Sequence, residues 1–180
     1  MKFTAGDHVY HPRGHTGTIK HHAIVVTDET SDGWMEIVEF GVYDKDGKKK
    51  LIAGTGLDVL GSEKGEVRKN RVNTKEDAYR VVSYNKRDES TKTAPEVLQA
   101  ASFLLTKGES LLPAYHLTFA NGECVARWCK TGKFESGQAD NLYGSVDKVE
   151  KVSKVLPIAS MVTGSATKTA ATTGNAPGAM

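Results

Sequence analysis

Apolar positions along the chain follow two rhythms, an alternating one in the first half and a helical one in the second. Thr18 to Val26 is the strongest strand candidate, its last four residues all apolar as a buried central strand requires. Trp34 to Phe40 alternates Met35, Ile37 and Glu39 against Glu36, Val38 and Phe40, so these two segments are expected to pair as an antiparallel hairpin. Lys2 to Tyr10 reads as a strand after the Ala5-Gly6-Asp7 turn and is expected to stop at His11-Pro12; Glu66 to Val72 and Tyr79 to Tyr84 are further strand candidates. After Thr93 the period changes. Pro95 and Glu96 open a helix, Val97, Leu98, Ala101, Leu104 and Leu105 recur at helical spacing, and Gly108 is its expected end. A second helix is expected from about Gly122 to Thr131, with Asn121 as N-cap, Glu123 in the first turn and Gly132 as the stop. Phe134 to Leu142 is expected to add another helical turn.

Composition narrows this to one α+β domain with a tail. Of 180 residues 38% are hydrophobic and 26% charged, an ordinary globular balance. Residues 1–150 carry the patterned segments, broken by a Gly- and Lys-rich insertion at about 42–65, whereas 151–180 is rich in Ala, Thr, Gly and Ser and is expected to be mostly disordered. The net charge of +2, without a basic stripe, gives nucleic acid no electrostatic footprint. No apolar run is long enough to span a bilayer and no signal peptide opens the chain, which together with two unpaired-looking cysteines fits a cytoplasmic setting. The Lys48-Lys49-Lys50 triplet offers a weak contact to anionic headgroups and reads better as a solvated turn.

Candidate chemistry gathers on the second helix. It carries both cysteines, Cys124 and Cys129, and a cysteine near a helix N-terminus can be held as thiolate by free N–H groups and the dipole. Five of the six histidines, His8, His11, His15, His21 and His22, fall early in the chain. Their spacing matches no helical His pair and no cysteine lies nearby in sequence, so neither a metal nor a cofactor is expected. A late helix bearing cysteine and an early central strand bearing His21 suggest a Cys/His pair assembled from distant segments.

In this order, Gly6-Asp7-His8-Val9, His21-His22-Ala23-Ile24-Val25-Val26, Ile37-Val38-Glu39-Phe40, Tyr115-His116-Leu117, Asn121-Gly122-Glu123 and Trp128-Cys129-Lys130-Thr131-Gly132 resemble the lecithin:retinol acyltransferase domain. The resemblance spans roughly residues 4 to 144. It implies a circularly permuted papain-like (NlpC/P60) architecture, an antiparallel sheet packed against helices, and a thiol mechanism on a phospholipid or other acyl ester, met at a peripheral membrane surface. In the family register the base falls on His21, the tryptophan position on His22, and the polar residue that orients the imidazole on Glu39. Tyr10 and His11 are candidates to line the site.

One position departs from the pattern. Where the family has Asn-Cys-Glu, this chain has Asn121-Gly122-Glu123, so the nucleophile position is glycine. Cys124 lies two residues on, roughly 200° around the helix, and would reach His21 only if the first turn were unwound. The catalytic set expected for an active thiol enzyme is therefore His21, Glu39 and a displaced Cys124. The alternative is an inactive domain that keeps the cleft to bind lipid or protein, as a viral or host-interaction module would.

Overall fold

The computed structural model describes residues 2–13, 19–48, 64–84, 90–116 and 120–137. Among the described residues five strands form one antiparallel sheet: β1 (His8–Arg13), β2 (Ile19–Val25), β3 (Trp34–Gly41), β4 (Glu66–Asn73) and β5 (Arg80–Val81), in the order β4-β3-β2-β1-β5. Helices α1 (Ala94–Leu111) and α2 (Gly122–Thr131) complete an α+β fold. Most of the insertion, the C-terminal tail and most of the turn expected at 134–142 lie outside the described residues. Among the described residues no helix is long and apolar enough to cross a membrane.

Alternation along the strands sorts side chains onto two faces. Ile24, Val38 and Phe40 face the helices and pack with Val97, Leu104 and Trp128 among others. Val9, Ala23, Val25, Met35 and Ile37 form a second cluster with Phe3 on the opposite face. β2 and β3 therefore keep both faces buried, as the apolar end of β2 suggested, whereas β4 has only partly buried and exposed residues.

Three boundaries differ from expectation. β1 does not stop at His11; it runs on through Pro12, which sits opposite Lys20 of β2, because β5 pairs only with Val9 and Tyr10 and leaves the other side of β1 without a ladder among the described residues. The Tyr79–Tyr84 strand shortens to Arg80–Val81. α1 continues past Gly108 to Leu111: a Cβ at Gly108 would come within 2.9 Å of Val67 Cγ2, so this glycine lets α1 approach β4 rather than ending the helix. The start of α1 is as expected, with the Glu96 carboxylate accepting from both the N–H and the hydroxyl of Thr93.

Candidate functional site

His21 and Glu39 stand on neighbouring strands. Glu39 lies directly across from Ala23, two residues from His21, so pleating turns both side chains to the face of Ala23 and Ile37. His21 Nε2 pairs with Glu39 Oε2, and both residues are buried. The other carboxylate oxygen, Oε1, accepts from Tyr43 Oη at 2.9 Å and from Asn70 Nδ2 at 2.6 Å. Glu39 is thus fixed from β2, β4 and its own strand's extension, and burial, reinforced by the Glu39 charge, pushes the Tyr43 hydroxyl well up. With Nε2 committed to the carboxylate, any proton transfer by His21 runs through Nδ1. Neither Tyr43 nor Asn70 stood out in the sequence. Asn70 carried the only signal available, a polar residue in step with Val72 on an inward-facing row.

The start of α2 approaches the same two strands. The β2–β3 ladder ends at Ala23 and Glu39, and one residue beyond it the carbonyl oxygens of His22 and Phe40 would each lie 3.2 Å from a Cβ built on Gly122. Glycine permits this close contact, which seats the start of α2 on the helix side of β2 and β3, whereas the His21 and Glu39 side chains project from the opposite face, so the pair expected between His21 and a cysteine of α2 is not brought together by the sheet. The first turn is intact: Asn121 Oδ1 accepts from Cys124 N at 3.0 Å, as an N-cap should. Asn121 Nδ2 donates to Ser136 Oγ at 3.2 Å, and Ser136 Oγ donates in turn to Glu123 Oε2 at 2.5 Å. Ser136, which no sequence pattern singled out, therefore clamps the cap and the first-turn carboxylate together.

Cys124 is only 1% exposed, and burial, reinforced by the Glu123 charge, pushes its thiol up to about 12. The cap's favourable pull on the thiolate is outweighed by desolvation. The helix dipole therefore does not yield a thiolate there at neutral pH, contrary to the expectation from helix position alone. Cys129 is buried in the helix-side core and is likewise pushed up to about 12.

His22 faces the other way from His21, onto the helix side of the sheet with Ile24. Its Nδ1 lies 2.8 Å from His8 Nε2, and His8 Nδ1 lies 2.5 Å from Tyr84 Oη. Tyr10 stacks against His22 with ring centroids 5.8 Å apart, while His11 stacks on Tyr79 at 5.4 Å. Of the two suggested lining residues, Tyr10 is thus on the α2 side.

The family model described as lecithin retinol acyltransferase matches residues 1–135. The chain belongs to the lecithin retinol acyltransferase family. The match covers every described strand and both helices. Neither a curated relative nor a solved structure matches the chain.

Proposed function

We propose that this lecithin retinol acyltransferase family domain engages acyl-ester lipid at the start of α2 without forming a thioester. Family membership points to acyltransferase or phospholipase-type chemistry on a phospholipid or related ester. The observation that carries the non-covalent reading is Gly122: the nucleophile position has no side chain, and its Cβ direction is occupied at 3.2 Å by two backbone carbonyls. Cys124 does not compensate, because its turn is capped and its thiol is held protonated. Such a domain would work as a lipid- or protein-binding module peripheral to a membrane.

A second reading keeps the enzyme, with His21 as base, Glu39 as its orienting carboxylate and Cys124 as nucleophile, and it requires α2 to rearrange, because His21 projects from the sheet face opposite the helices. It is favoured by the buried His21–Glu39 pair, whose carboxylate is held by two further donors. Incubation with an activated acyl ester followed by intact-mass measurement separates the two. The non-covalent reading expects no adduct on the natural chain and binding of a soluble short-chain phospholipid. An acyl adduct abolished by Cys124→Ala would establish the thiol enzyme instead.

A further inference from the structure

Beneath α2 lies a hydrogen-bonded row that the His21–Glu39 pair does not use. It runs from Tyr84 Oη to His8 Nδ1, and from His8 Nε2 to His22 Nδ1. His8 is 2% exposed and His22 4%, so both imidazoles are out of water. The row ends at His22 Nε2, which is buried and has no hydrogen-bond partner among the described residues. An orphaned polar atom in the interior is costly, so a row built to end on one calls for a ligand atom at that end.

Electrostatics fixes the direction of the row. Burial drives both imidazoles toward the neutral form, His22 down to about 4 and His8 well below its ordinary value, so each ring carries one N–H. Two arrangements satisfy the two internal hydrogen bonds. In one, Tyr84 donates to His8, His8 donates through Nε2–H to His22 Nδ1, and His22 Nε2 carries an outward N–H. In the other every proton is reversed and His22 Nε2 presents a lone pair. The charge that most favours protonation of His22 is the carboxylate of Glu123, in the first turn of α2 and anchored there by Ser136 Oγ and the Gly137 N–H. A negative charge beside His22 favours an N–H over a lone pair at the one ring nitrogen left unpaired, which selects the first arrangement.

We propose that Tyr84 and His8 position His22 so that its Nε2–H is a preset donor at the first turn of α2, and that this donor receives the ester carbonyl oxygen of the bound acyl lipid. The ligand class rests on the proposed lipid-binding function; the polarity of the row does not. Phospholipid acyl esters supply the neutral acceptor that a single buried N–H fits, whereas a phosphate would bring an unmatched charge beside Glu123. Tyr84 and His8 are positioning residues, and His22 is the contact.

Side-chain 15N NMR of the full chain tests both parts. In the free protein His8 and His22 are expected as Nε2–H tautomers at pH 7, and Tyr84→Phe should alter the tautomer balance of both rings. An Nδ1–H tautomer at His22, or a His22 spectrum indifferent to Tyr84→Phe, overturns the row. Dihexanoylphosphatidylcholine, added below its micelle concentration, should move the His22 Nε2–H signal, and His22→Phe should weaken its binding about tenfold. Lipid binding that leaves the His22 signal unmoved overturns the contact while sparing the lipid reading. If no lipid binds the natural chain, the lipid reading and the ligand assignment fall together, and the tautomer result still decides the row.

Discussion

Gly122 shows how one missing side chain can seat a helix on a sheet rather than leave a gap. A methyl group added there would meet two strand carbonyls at 3.2 Å, atoms that shift only with their strands. Gly122→Ala should therefore destabilise the domain by about 1 kcal/mol despite alanine's better helix propensity, read as a lowered urea midpoint with unchanged slope. Cys124 offers a complementary test. With its thiol buried and pushed up to about 12, alkylation by iodoacetamide at pH 8 should be slow in the folded chain and rapid in urea; fast native labelling would contradict the buried, protonated thiol.

Among the elements, α2 was the most legible in sequence and α1 the least well bounded. Asn121, Glu123 and Gly132 are local signals acting within one turn of α2, and its observed limits are those they specify. Gly132 takes the left-handed conformation at φ 82° that ends the helix. Gly108 has the same identity and another purpose, because its requirement comes from Val67 on a strand some forty positions earlier, which no local pattern encodes. Gly108→Ala should accordingly destabilise α1 against β4, although alanine in an exposed helix would gain about 1 kcal/mol. The pairing of His21 with Glu39 was legible through motif order, whereas the face they share was not, since both faces of β2 and β3 are apolar. The supports from Tyr43, Asn70 and Ser136, and the row through His8, depend on contacts between segments far apart in the chain. Removing the α2 cap with Asn121→Ala should cost about 1 to 2 kcal/mol, more than an exposed cap because Ser136 also loses its partner.

For the molecule as a whole, the two buried histidines tie stability to pH. His22 falls from an ordinary 6.5 to about 4 because burial, the largest influence, opposes its charge, and His8 shifts the same way. Between those values the unfolded chain binds protons that the folded chain refuses, so stability drops as pH falls through that window, by about 3 kcal/mol for His22 at its lower end. Urea unfolding at pH 7 and pH 5 should show the loss, and His22→Phe should flatten it. The outer margin of β1 has a consequence of another kind. Past Tyr10 no strand among the described residues pairs with that margin, and Pro12 is the residue there with no N–H to offer an incoming chain. Pro12→Val would supply the missing donor and favour strand addition between molecules, visible as concentration-dependent self-association in sedimentation velocity. On that reasoning, a proline that interrupts the pattern of a good strand keeps neighbouring copies of the domain apart.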